Sequence, residues 1–142
     1  MKTVPVIEYS HAKNAIDTIV AEASRRGKAA VVAVADSHGE LIAFARMDGA
    51  PVSSIRIAAN KAYTSARERK PTKDIGDKVR NQEKGHDIAY FGDPRYVGWG
   101  GGIPVWKDGA VAGAVGVSGL SSLEDVELAN LAVATLGADK AP

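Results

Sequence analysis

Cysteine is absent from the sequence of 142 residues. Its absence excludes disulfide bridges, thiolate metal sites and a cysteine nucleophile, and it fits either redox compartment. Histidine is scarce, with only His11, His38 and His86, and no HExxH or comparable spacing indicates a metal site. A structural role is favoured for all three. His86, beside Asp87 in an aperiodic segment, is the best of them for catalysis or metal binding.

An excess of either charge is also lacking. Lysine and arginine number 18 against 17 acidic residues, so the net charge is +1 and no basic surface for nucleic acid or anionic lipid is expected. No run approaches the roughly 20 apolar residues that cross a bilayer, and the first residues lack the apolar segment of a signal peptide. These absences predict a cytoplasmic protein with no nucleic-acid or membrane partner.

The composition is that of an ordinary globular protein, and we expect one domain over residues 1–142. Hydrophobic periodicity predicts the order helix, hairpin, helix or helix pair, loop, hairpin, helix. Two hairpins with helices around them predict an α+β fold, in which an antiparallel sheet is flanked by helices. The predicted elements are a helix over Ser10–Arg26, strands over 29–35 and 40–46, a helix from Ser53 or Ser54 to Pro71, a short helix capped by Thr72, strands over 103–107 and 110–118 joined by an Asp108-Gly109 turn, and a helix over 123–136.

Small residues recur on two predicted faces. The last strand, AVAGAVGVS, alternates valine with alanine or glycine, so one face is bulky and the other nearly bare. Bare strand positions often mark the close approach of a backbone or a ligand. At about 100° per residue, the second helix separates an alanine-rich side, which can lie close to a sheet, from a polar side. The apolar side consists of Ile55, Ala58, Ala59, Ala62 and Ala66, and the polar side of Asn60, Lys61 and Thr64 with Ile57.

Residues 81–102 have no clear period and are rich in glycine. Long irregular segments in a compact domain are uncommon and often prove to be binding loops or lids. Alternatively, their aromatic rings fill the end of the core or a subunit contact. Small-residue faces, together with more aromatic rings in one loop than a small core needs, predict a homo-oligomer. The rings are those of Tyr90, Phe91, Tyr96 and Trp99.

Lys61 is the sharpest candidate for chemistry. It lies among alanines on a helix that must pack closely, with Tyr63 and Thr64 within one turn. A partly desolvated lysine has a lowered pKa and can act as a base or a Schiff-base amine. Alternatively, Lys61 points to water from the polar side of its helix. Arg46 offers a planar fork for a carboxylate, or it pairs with Asp48 across the RMDGAP turn.

A pocket for a small ligand is the leading hypothesis. If Arg46 and Lys61 face one cavity, the ligand is a small anion. Gly101 and Gly102, together with the turn 119–122, would add backbone N–H donors. The alternative is a cofactor-free isomerase or lyase for a small carboxylated or carbonyl compound, in which Lys61 or Tyr63 moves a proton and Arg46 holds the anion. The predicted site comprises Arg46, Lys61 and Tyr63 as candidate catalytic residues, and Asp48, Asn60, Thr64, Tyr96, Trp99, Gly101 and Gly102 as ligand-binding residues.

Three segments taken together resemble a known family: VVAVADSHGELIAFARMDGAP, SIRIAANKAYTSARERKPT and GGIPVWKDGAVAGAVGVSG. On these motifs the chain is similar to the GlcG/HbpS family, a former domain of unknown function that includes the C-terminal domain of PduO-type proteins. The resemblance implies an α+β fold similar to profilin-like domains, assembly into homo-oligomers and, as in some relatives, haem as a ligand. His86 is then also the candidate haem ligand among the histidines. For most of the family no reaction is assigned.

Overall fold

Four antiparallel strands and four α-helices follow one another in the computed structural model, which describes residues 1–142. They are α1 (Tyr9–Arg25), β1 (Val31–Asp36), β2 (Leu41–Arg46), α2 (Ser54–Glu68), α3 (Thr72–Val79), β3 (Gly102–Lys107), β4 (Ala110–Ser118) and α4 (Ser122–Thr135). The strands form one sheet in the order β2-β1-β4-β3. The predicted α+β class with an antiparallel sheet is confirmed. No helix is both long enough and apolar enough to cross a membrane.

The two faces of the sheet carry side chains of different size, which decides how closely the helices approach. Val32 and Val34 of β1 and two valines of β4, Val115 and Val117, point into the main core, where they pack with α1 and α4. On the opposite face, Ala33 and Ala35 pack with Ala62 of α2. The main core includes Val32, Val34, Val115 and Val117 of the sheet with Ile16, Ile19 and Leu128 of the helices.

Gly116 lies where α2 crosses β4. A Cβ atom at this position would lie 2.2 Å from the carbonyl oxygen of Ala58 and 2.6 Å from the amide nitrogen of Ala62. Ala58 and Ala62 are fully buried, so the alanine side of α2 faces the sheet as predicted. The small residues on one face of the last strand predicted the close approach of a backbone or a ligand. At Gly116, the backbone of α2 makes this approach.

The predicted hairpin between β3 and β4 is confirmed. Asp108 and Gly109 at its turn both have positive φ angles, 49° and 77°, as in the type I′ turns of two-residue hairpins. The predicted helix cap at Thr72 is wrong, because Pro71 occupies the cap position. The buried hydroxyl of Thr72 instead accepts a hydrogen bond of 2.9 Å from the N–H of Gly102. This bond ties the start of α3 to the start of β3.

Candidate functional site

Lys61 is buried between α2 and the start of α4. Its side chain is 2% exposed, and Nζ donates hydrogen bonds to the carbonyl oxygen of Val117 at 2.8 Å and to Oδ2 of Asp125 at 3.2 Å. The alternative in which Lys61 points to water is therefore wrong. The other carboxylate oxygen of Asp125 accepts the N–H of Leu120 at 3.1 Å. Both oxygens of this carboxylate are thus engaged within the protein.

Two glycines make room for the lysine. A Cβ atom at Gly101 would lie 2.9 Å from Nζ of Lys61, and one at Gly102 would lie 2.6 Å from the carbonyl oxygen of Lys61. Both residues were predicted to bind a ligand through the backbone. The structure brings them against Lys61, where the lack of a side chain allows the loop before β3 to pass over the α2 backbone.

Burial dominates the electrostatics of the pair. It lowers the pKa of the Lys61 amine, and the attraction of Asp125 opposes this shift. Burial also raises the pKa of the Asp125 carboxyl to about 6, against the opposing effects of Lys61 and of the Leu120 N–H. Desolvation penalises the charged form of each group, which lowers the pKa of the amine and raises the pKa of the carboxyl. A buried lysine–carboxylate pair with such shifts is a candidate for a functional site.

A cavity of about 350 Å³ opens beside this pair. Its floor is polar, because Ser54 and Ser118 line it together with Lys61 and Asp125, and each of these four residues is at most 5% exposed. Its apolar contacts include Ile57 and Leu120, while Trp99 and Gly100 contribute from the loop. A concave site with a few buried polar groups and apolar walls is typical of small-ligand sites. The cavity is hereafter called the Lys61 cavity.

Tyr63 and Thr64 hold the loop that carries Trp99. The Tyr63 hydroxyl donates to Oδ2 of Asp93 at 2.5 Å and accepts from the guanidinium of Arg95 at 2.6 Å. The Thr64 hydroxyl accepts from the N–H of Val97 at 3.0 Å and donates to the carbonyl oxygen of Arg95 at 3.3 Å. Neither residue lines the Lys61 cavity. Both were predicted as site residues, and in the structure they fix the position of the cavity wall.

Tyr96 and Asn60, also predicted to bind the ligand, lie outside the Lys61 cavity. The Tyr96 hydroxyl donates to the Glu68 carboxylate at 2.6 Å. Asn60 lines a shallow surface depression beside Leu41 and Phe44. The three polar residues predicted on one side of α2 therefore lie in three different environments. Of Asn60, Lys61 and Thr64, only Lys61 lines the cavity.

Arg46 does not share a cavity with Lys61, which corrects the predicted pocket. It lies on the edge strand β2, opposite Val31, and Val31 is in turn opposite Ser118 of the Lys61 cavity. Two strand spacings, about 9.5 Å, therefore separate the backbones of Arg46 and Ser118. Arg46 and Asp48 instead line a separate depression, and no ion pair joins them. The cofactor-free enzyme needs Arg46 in one cavity with Lys61 or Tyr63. Neither arrangement is present, because Arg46 and Lys61 line different cavities and Tyr63 lines neither of them.

His86 borders a second concave region, a groove of about 490 Å³ between α3 and the loop that follows it. Its Nδ1 atom is buried and has no hydrogen-bond partner, and its ring lies edge-on to Phe91 with ring centres 5.6 Å apart. Ile75 and Val79 give the groove further apolar surface. His11 and His38, in contrast, are exposed. Buried polar atoms normally have a hydrogen-bond partner. The buried Nδ1 atom without one therefore distinguishes His86 from the other two histidines.

Asp125, Ser54 and Ser118 were not predicted as site residues. A signal for Asp125 is present in the sequence: it precedes Leu128 and Ala129 by three and four positions, so the three residues share one buried side of α4. A carboxylate on the buried side of a helix requires a partner, because an unpaired buried charge is costly. The sequence gives no comparable signal for the two serines.

Three features define this α+β protein. One helix packs closely on the face of the antiparallel sheet that has small side chains, two helices pack on the other face, and a buried lysine–aspartate pair lies at one end. The chain belongs to the HbpS-like family, because the family model described as "Haem degrading protein HbpS-like" matches residues 7–134. The predicted resemblance to the GlcG/HbpS family is confirmed.

Known proteins resemble the chain over most of its length. Protein GlcG of Escherichia coli K12 is 35% identical over 118 residues, which cover 83% of this chain and 85% of GlcG. The crystal structure of Klebsiella pneumoniae protein ORFY has a TM-score of 0.91 at 30% identity, covering 99% of this chain and 97% of ORFY. The crystal structure of a PduOC:haem complex has a TM-score of 0.90 at 25% identity, covering 96% of this chain and 99% of the PduOC chain.

Proposed function

We propose that this protein is a haem-binding, small-ligand protein of the GlcG/HbpS type. The observation that carries the proposal is the likeness to the PduOC:haem complex, with a TM-score of 0.90 over 96% of this chain. The family description, which names a haem-degrading protein, supports it. The ligand proposed is haem itself, and no reaction is proposed.

The residues of the His86 groove fit haem. An imidazole nitrogen of His86 is a common axial ligand for haem iron, and the unpartnered Nδ1 shows that this ring is not committed to another hydrogen bond there. Ile75 and Val79 offer apolar contact to a porphyrin. Lys70 and Lys78, which line the groove together with Glu68 and Asp74, offer cations for its propionates. Bound haem would supply a redox-active iron at this position.

Titration of the purified protein with hemin should give a saturable shift of the Soret band at a ratio of one haem per chain. Replacing His86 with alanine should remove the iron ligand and weaken binding by at least about tenfold, because a metal–ligand bond is lost. The measurement is absorbance spectroscopy, with the ligand field read from the Soret position.

His38→Ala is the matched control, because His38 is an exposed histidine in the turn between β1 and β2. It should bind hemin as the unchanged protein does. Absorbance that rises without saturation would contradict specific haem binding. An unchanged Soret band in His86→Ala would instead show that another residue holds the iron.

Assembly into a homo-oligomer is also proposed. An apolar surface supports it: Leu41, Phe44 and Val52 are 53%, 40% and 77% exposed, and Leu41 and Phe44 lie on β2, an edge strand. Light scattering coupled to gel filtration should give a multiple of the 14.8 kDa chain mass. A mass of one chain at micromolar concentration would contradict it. The cytoplasmic location stays a prediction from the sequence, which cell fractionation would check.

A further inference from the structure

The floor of the Lys61 cavity offers more hydrogen-bond donors than the protein uses. An ammonium group has three N–H donors, and Val117 and Asp125 accept two of those of Lys61. The Ser118 hydroxyl donates to Ser54 Oγ at 3.1 Å, and the hydrogen of the Ser54 hydroxyl has no acceptor in the protein. Two side chains that are at least 96% buried, Lys61 and Ser54, therefore each keep a donor free.

The charge around the cavity favours an anion. Asp125 is the one acidic residue that lines it, and both its oxygens are engaged by Lys61 and by the N–H of Leu120. Ser54 and Ser122, the first residues of α2 and α4, also line the cavity. The amino ends of two long helices thus add partial positive charge to the free donors of Lys61 and Ser54.

We infer that the Lys61 cavity binds a small carboxylate, whose oxygens accept hydrogen bonds from Lys61 Nζ and the Ser54 hydroxyl. The N–H of Gly119, which lines the cavity and has no partner in the protein, is a third donor available to it. Ile57 and Leu120 provide apolar contact for a short carbon chain. The volume of about 350 Å³ suits a compact acid rather than a porphyrin. No residue lines both this cavity and the His86 groove, so haem in that groove would not occupy the Lys61 cavity.

The test uses the full chain without haem, titrated with sodium propionate and followed by two-dimensional amide NMR at fixed pH. We expect saturable shift changes centred on Gly119, Ser122 and the side-chain N–H of Trp99. Propionamide has nearly the same shape without the charge, and it should bind at least about tenfold more weakly, because charge-assisted hydrogen bonds are the stronger ones. Shifts that do not saturate, or equal affinity for the acid and the amide, would overturn the inference.

Two serines of α2 provide matched variants. Ser54 and Ser65 are 4% and 0% exposed, but the Ser65 hydroxyl donates to the carbonyl oxygen of Lys70 at 2.8 Å and lies outside the cavity. Ser54→Ala should weaken propionate binding about five- to tenfold through the loss of one hydrogen bond, and Ser65→Ala should leave the affinity unchanged. Equal affinities in the two variants would overturn the assignment to this cavity. His86→Ala should bind propionate normally, so a failure of the haem proposal is distinguished from a failure of this one.

Discussion

Replacing Lys61 with methionine should lower the free energy of unfolding by about 3–5 kcal/mol, because it leaves a buried carboxylate without its cation. Methionine fills most of the space of the lysine side chain, so the cavity contribution is small. The side chains of Lys61 and Asp125 are 2% and 4% exposed, which leaves water little opportunity to replace the lost partner. Urea denaturation followed by circular dichroism would measure the change.

A double-mutant cycle isolates the pair from the rest of the site. Asp125→Asn should also be destabilising, but the double variant Lys61→Met with Asp125→Asn should lose less than the sum of the two single changes, because no charge remains buried. Lys13→Met is the control, because Lys13 pairs with Asp17 on the surface with both side chains more than half exposed. It should leave the free energy of unfolding almost unchanged, because exposed ion pairs contribute little to stability. Strict additivity in the cycle would contradict a coupled pair.

The pairing of Lys61 could not be predicted because its partner is distant in sequence. Asp125 is 64 residues away, and the two meet only where α2 and α4 approach the same end of β4. Local patterns did predict that Lys61 lies on a helix whose alanines pack closely. They therefore predicted the desolvation of Lys61 as one of two alternatives but gave no means of naming the carboxylate that accompanies it.

Arg46 and Tyr63 illustrate two other limits. The RMDGAP motif predicts a turn after a strand, and the structure contains that strand. The motif does not predict that β1 lies between Arg46 on β2 and Ser118 on β4, because this depends on the order of the strands in the sheet. Tyr63 lies within a turn of Lys61, yet its partners Asp93 and Arg95 belong to the segment 81–102, which has no periodicity. Without a pattern for that segment, a residue that fastens the loop is indistinguishable from one that lines a pocket.

The close approach of α2 to β4, in contrast, follows from the alternation of valine with small residues. We therefore expect a substitution at Gly116 to have a large effect on stability. Gly116→Ala should lower the free energy of unfolding by about 3 kcal/mol, at the upper end for overpacking. The new Cβ would lie 2.2 Å and 2.6 Å from backbone atoms of Ala58 and Ala62, which cannot turn aside as a side chain can. The whole helix must therefore move away from the sheet. Urea denaturation again provides the measurement.

Gly27→Ala separates this steric effect from backbone strain. Gly27 has a φ of 68°, and no atom lies within 4 Å of a Cβ built there, so this change should cost only about 1–2 kcal/mol, the penalty of a left-handed conformation. Because α2 carries Lys61 and Ser54, Gly116→Ala should also shift the amide signals of Gly119 and Ser122 at the Lys61 cavity, whereas Gly27→Ala should leave them in place. If both variants were equally mild and left those signals unchanged, α2 would not lie on β4 as closely as Gly116 requires.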